Sequence, residues 1–199
     1  MGDFTPEQES AIDEKIELFS PLIEKEISQE EVMKRVKEIE AKITAKRLEW
    51  FEEHKDEFDY LKRDDLTDAQ KAFALLFGSY MGIKREDIAV FATYDGSQAL
   101  LNIQIQSKNF CPYLEAFKRM GIIPRDSVKI CELALEEPCR VLVKQVNPDL
   151  NFYRKYERIR PCADYCLEGI ITWDASLCDQ FENPCDLFIL NADPYLELV

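Results

Sequence analysis

A single histidine, His54, stands in the 199 residues, and there are only six glycines. The first scarcity leaves a Cys-His or Ser-His dyad one residue to recruit, and that residue sits in the charged stretch "FEEHKDEF". The second fits the absence of a glycine-rich phosphate loop, a Walker motif or a G-x-S-x-G elbow. Positive charge is also in short supply. Lys and Arg number 25 against 39 Asp and Glu, a net charge of −14, which argues against a nucleic-acid-binding surface. One local basic patch is left open, at "FYRKYERIR". No apolar run approaches the ~18–20 residues of a membrane helix. The opening "MGDFTPEQES" is too acidic for a signal peptide and places Pro6 where a myristoylation start wants Ser or Thr. The expectation is a cytoplasmic protein without membrane or nucleic-acid partners.

Cysteine is missing from the first 110 residues, yet seven follow: Cys111, Cys131, Cys139, Cys162, Cys166, Cys178 and Cys185. An odd number cannot close into internal pairs without a remainder, which points to a reducing compartment. The cysteine-free part is helical in pattern. "TPEQ" and "SQEE" carry capping boxes, with Pro6 at a first helical position, and "SPLIE" repeats the cap-then-proline start. Val32, Val36, Ile39 and Ile43 form one apolar stripe on a helix running to about Phe58. That stripe serves packing on the chain's own domain or a helical homodimer contact. "LTDAQKAFALLFGSYMGI" predicts a further, buried helix.

Beyond it the period changes. "DIAVFATY" and "ALLNIQIQ" predict two strands joined at Asp95-Gly96, the second alternating Leu101, Ile103 and Ile105 with Asn102, Gln104 and Gln106. A helix starts at "CP" and ends at Gly121, and a longer one spans about Asp126 to Val146, interrupted or kinked by Pro138. "NFYRKYERI" and "LEGIITWD" predict a second hairpin around the loop "RPCADYC". The fold class is therefore α+β: an antiparallel sheet from two β-hairpins packed against helices. An N-terminal helical segment, residues 1–62, precedes an α+β cysteine-containing domain, residues 63–199.

Among the thiols, Cys111 is the candidate nucleophile, because Pro112 puts it at a helix N-cap where unpaired N–H groups favour a thiolate. Cys139 suits plain core packing. Cys162 and Cys166 share the second hairpin loop, with Arg160 nearby to favour ionisation. With Cys131 they would place three thiolates together, and Cys111, Glu157 or water would complete a tetrahedral zinc site. Cys178 and Cys185 are alternative ligands or a redox pair.

"NFCPYLEAFKRMG", "ICE" and a cysteine loop before a last strand resemble the 4-vinyl reductase ligand-binding domains and the L-2-amino-thiazoline-4-carboxylate hydrolases, over roughly residues 67–175. The loop here lacks the glycine that precedes the hairpin cysteine in those families. The resemblance implies that Cys111 is the Cys-Pro cysteine, Cys131 the one on the long helix, and Cys162 or Cys166 the hairpin-turn cysteine. In its sensor members that region resembles a zinc site of cysteines and a glutamate. It further implies a small-molecule pocket lined by Phe110, Tyr113, Phe152 and Tyr153 beside the cysteine site. Two functions are then in view. One is a ligand-binding protein with a zinc-holding cysteine site. The other is a thiol- or zinc-dependent hydrolase of a small C–N or C–S ring compound. A plain interaction protein working through the N-terminal helices is the third.

Overall fold

Three helices begin where side chains satisfy the free N–H groups of a first turn. Thr5 and Gln8 form a reciprocal box at the start of α1 (Pro6–Phe19), and Thr67 and Gln70 do the same for α3 (Asp68–Phe73). Ser28 accepts from Glu31 N–H to open α2 (Gln29–His54). The computed structural model describes residues 4–23, 28–95, 100–173 and 187–190, with side chains for 4–23, 28–91 and 104–171. The Gly96 turn, Cys178 and Cys185 therefore lie outside the described residues.

Several segments depart from simple continuation. Ser20–Ile23, expected to start a new helix, is a single 3₁₀ turn, and α2 stops at His54, short of Phe58. After Phe73 the α3 ladder widens into a π-helix over Ala74–Tyr80, with Met81 N–H reaching back to the Leu76 carbonyl. Gly82, at φ +58°, ends it, and Ile83 N–H returns to the Phe77 carbonyl. Helices α4 (Pro112–Arg119) and α5 (Pro124–Val143) follow, and α5 runs through Pro138.

The strands are β1 (Ile88–Asp95), β2 (Leu100–Ser107), β3 (Asn151–Arg154), β4 (Cys166–Trp173) and β5 (Leu187–Leu190). They form one antiparallel sheet in the order β3-β4-β2-β1-β5, so the two hairpins join through β2 and β4. The fold is α+β, as the sequence pattern indicates. "NFYRKYERI" is strand only to Arg154, after which Tyr156–Arg158 form a 3₁₀ turn.

Register sorts one sheet face into rows. Ile170 lies opposite Phe152; Val90, Ile105, Glu168 and Arg154 form the next row; Ile88, Ser107 and Cys166 form the last. The first row is apolar and fully buried against α3 and α5, in a cluster with Phe73, Phe77 and Leu142. Toward the β4 start, carboxylate, guanidinium and thiol appear. Gly169 points to the opposite face, where Tyr153 covers it: a Cβ there would stand 2.3 Å from the Tyr153 ring.

A second cluster joins Phe19, Val36, Ile39, Ile43, Phe117, Ala134 and Leu135, drawn from α1, α2, α4 and α5. Phe19 meets Phe117 edge-on at 5.0 Å, and Arg119 of α4 holds Glu9 of α1 through two bonds of 2.6 and 2.9 Å. The apolar stripe on α2 thus faces the chain's own interior. Of the two roles open to it, the stripe serves packing on the chain's own domain. Among the described residues no helix is long and apolar enough to cross a membrane.

Removing buried methyl groups from this seam should cost stability without changing mass. Ile43→Ala is expected to lower unfolding free energy by about 2–5 kcal/mol, read by urea denaturation. Sedimentation mass should match that of the unaltered chain. A change in mass at unchanged stability would return the stripe to an intermolecular role.

Candidate functional site

A cavity of about 390 Å³ opens where the polar end of the sheet face meets the helices. Nearly every element contributes. Lys15 comes from α1, Arg47 and Trp50 from α2, Tyr80 and Met81 from the π-turn, Tyr113 from α4, and Cys131 and Leu135 from α5. Ser107 ends β2, Asn109, Phe110 and Cys111 follow it, and Arg154, Arg160, Cys166 and Glu168 come from the second hairpin. The N-terminal helices are a wall of this site and not an appendage to it.

Charge is the distinguishing property. Among the described residues four cations, Lys15, Arg47, Arg154 and Arg160, line the cavity with one carboxylate, Glu168, in a chain of net charge −14. Arg154 and Glu168 lie directly opposite on β3 and β4 and pair at 2.5 Å, with side chains 6% and 5% exposed. Lys15 reaches Glu14 at 3.1 Å. Arg47 is different. It is 2% exposed, and no carboxylate pairs with it among the described residues. Its Nη1 donates to Cys139 Sγ at 2.8 Å and its guanidinium lies 4.8 Å from the Tyr80 ring centroid. Arg47 Nε and Arg154 Nη1 are buried without hydrogen-bond partners. Arg160 likewise lacks a described carboxylate; it donates to the Asn109 carbonyl at 2.6 Å and to Cys166 Sγ at 3.3 Å.

The thiols separate by neighbourhood. Burial pushes the Cys111 thiol up, and the Leu114 N–H and Arg160 charge that pull it down do not offset this. The helix N-terminus therefore does not deliver the thiolate expected there. Burial likewise holds Cys131 up to about 12, against the attraction of Arg154. Cys139 is fully buried in the core, as anticipated, yet it touches both Arg47 and Arg154, the latter at 3.5 Å.

The expected zinc set does not assemble. Cys131 and Cys166 share the cavity, but Cys162 and Glu157 are exposed and line no part of it. The reason is local. Cys166 is already the first residue of β4, turned inward beside Ser107, whereas Cys162 lies in the preceding turn with its N–H bonded to the Ile159 carbonyl. Among the described residues no three His, Cys, Asp or Glu side chains are grouped to hold a metal ion. Of the expected aromatic lining, Phe110 and Tyr113 are present. Phe152 is sealed in the core and Tyr153 packs on the other sheet face.

Sequence reasoning missed Arg47, and a signal existed. It falls four residues after Ile43, on the apolar stripe, where a cation has no business in simple packing. Arg154 and Arg160 are the first and last arginines of the "FYRKYERIR" patch, and both line the cavity. Comparisons with protein-family models, with curated proteins and with solved structures find no match to this chain.

Two outcomes test the electrostatics. Glu168→Gln strands the buried Arg154 charge, so unfolding free energy should fall by about 3–5 kcal/mol in chemical denaturation. Adding Arg154→Met to it should recover part of that loss. The second outcome concerns pH. With Cys131 at about 12 in the folded state and near ~8.5 unfolded, the unfolded chain ionises first. Its contribution is intact below the unfolded value and is lost as pH rises toward the folded one. The urea midpoint should therefore decline above about pH 8.5, and Cys131→Ala should show a shallower decline.

Proposed function

We propose that this chain is a small-molecule-binding protein whose cavity takes an organic anion with an aromatic or apolar body. The observation that carries the reading is Arg47: a guanidinium 2% exposed, its Nε without a partner, in a cavity lined among the described residues by four cations and one carboxylate. Burying such a charge costs several kcal/mol unless an anion arrives. A ligand carboxylate supplies the countercharge to this cationic wall. Trp50, Tyr80, Phe110 and Tyr113 offer flat apolar surface for the rest of the ligand. Zinc plays no part in this reading.

The hydrolase alternative draws on Cys111, Cys131 and Cys166 lining one cavity. Among the described residues it lacks a general base in place. Glu168 is held by Arg154, and His54 does not line the cavity; its ring stacks on Trp50 and its Nδ1 lies 2.8 Å from the Trp50 carbonyl oxygen.

Phenylacetate and its neutral isostere phenylacetamide, titrated calorimetrically at low ionic strength, test the proposal. Phenylacetate should bind at least about tenfold more tightly, the equivalent of one charge-assisted hydrogen bond. Arg47→Met should abolish that preference while leaving the unliganded protein equally stable or more so, by about 1–4 kcal/mol. Equal binding of acid and amide by the unaltered chain ends the reading.

A further inference from the structure

Five described cysteines differ in what surrounds their sulfur, and one combines access with a cation. Cys139 has guanidinium contacts but is sealed in the core and does not line the cavity. Cys111 and Cys131 also reach the cavity and are also partly buried, but among the described residues no guanidinium donates to either sulfur. Cys162 is exposed outside it. Cys166 lines the cavity, is only partly buried, and receives Arg160 Nε at 3.3 Å. Arg160 is itself fixed in that position by its bond to the Asn109 carbonyl.

We infer that Cys166 is a nucleophile directed at small anionic electrophiles: carboxylates whose body carries an electrophilic carbon. The inference rests on the anion-binding reading, which brings the carboxylate to the cavity wall formed by Arg47 and Arg154. Those two cations, each with a buried N–H that has no partner among the described residues, are the independent sign of a ligand in the same cavity. Arg160 does separate work, placing positive charge against the sulfur as it loses its proton. With a carbon doubly bonded to nitrogen or oxygen, the S–C bond forms, the π electron pair moves to the heteroatom, and the thiol proton ends there. With a haloacetate, the S–C bond forms, the carbon–halogen bond breaks, halide leaves with the pair, and the proton passes to water. Neither step requires an oxidant or reductant. The reactive thiol is thereby moved from the helix N-cap, Cys111, to the start of β4.

Iodoacetate and iodoacetamide distinguish this role, because they share a leaving group and differ by one negative charge. The full-length protein would be alkylated with each at neutral pH and low ionic strength, and rates read by peptide mass mapping. At exposed Cys162 the neutral amide should be the faster reagent. At Cys166 the order should invert, with iodoacetate at least about fivefold faster, and phenylacetate should suppress labelling there but not at Cys162. Arg160→Met should cut the iodoacetate rate at Cys166 about tenfold or more; Arg158→Met, on an exposed arginine, should not. The inversion is read within unaltered protein, so a variant that misfolds does not decide the outcome. The same reagent order at Cys166 and Cys162 overturns the inference, as does labelling of Cys111 or Cys131 in its place. If phenylacetate still binds in that event, the anion reading stands alone; if it fails too, both fall.

Discussion

A guanidinium in the protein interior, with no carboxylate paired to it among the described residues, is the constraint from which the rest of this structure follows. Arg47 cannot shed its proton at any ordinary pH, so the surroundings must carry the charge. Weak partners do part of this, among them the Cys139 sulfur, the Tyr80 ring face and the Tyr113 side chain. None of these equals a carboxylate. The nearest carboxylate on the sheet, Glu168, is already bound to Arg154, directly across the strands. A sequence optimised only for folding would place Leu or Met at position 47, between Ile43 and Phe51 on a buried stripe. The local rule is broken at a cavity wall, where a broken rule has a use.

Keeping that arginine at the cavity requires both halves of the chain. α2 is oriented by its apolar stripe against α5 and by Phe51 in the sheet-side cluster. α1 is pinned to α4 through Phe19, Phe117 and the Glu9–Arg119 pair. The same sheet face is apolar at Ile170 and Phe152 and polar at Cys166 and Ser107, four residues along β4 and β2 from the buried end. A single register thus anchors the helices at one end and furnishes the cavity at the other. A slip of one residue would turn Glu168 and Cys166 outward together and leave Arg154 without its partner.

Local signals were readable in advance. The box at Thr5/Gln8 forms as written, and at Ser28 the side chain accepts from Glu31 N–H without the reciprocal bond; such caps are legible because they depend on four consecutive residues. The hairpin strands also fall where alternation places them, and the α+β class follows from their order. Pairings distant in sequence were not legible. β5 adds to β1 from a tail without clear periodicity, and β3 ends at Arg154 because the chain turns into 3₁₀ geometry at Tyr156. The site was half legible for the same reason. Phe110, Tyr113, Cys111, Cys131 and Cys166 meet at one cavity, whereas adjacency in sequence misled at Phe152 and Tyr153, since neighbours on a strand face opposite ways. Cys162 and Cys166 are divided by a similar boundary between turn and strand.

The cysteines show why residue type and local motif underdetermine chemistry. Cys111 has the favourable motif, a helix N-terminus sealed by proline, and its ionisation is still opposed by the dry surroundings that enclose it. A helix terminus contributes a fraction of a charge, whereas loss of hydration acts on the whole of it. Cys131, deeper on α5, has no terminus to help and moves further in the same direction. Among the described thiols, only Cys166 has both cavity access and a guanidinium at hydrogen-bonding distance. Arg160 comes from a loop six residues earlier, so the pairing depends on the hairpin's closure and on the Asn109 carbonyl that steadies the guanidinium. The electrostatic character of this site is therefore a property of tertiary packing, carried by arginines whose positions in the sequence announce nothing about one another.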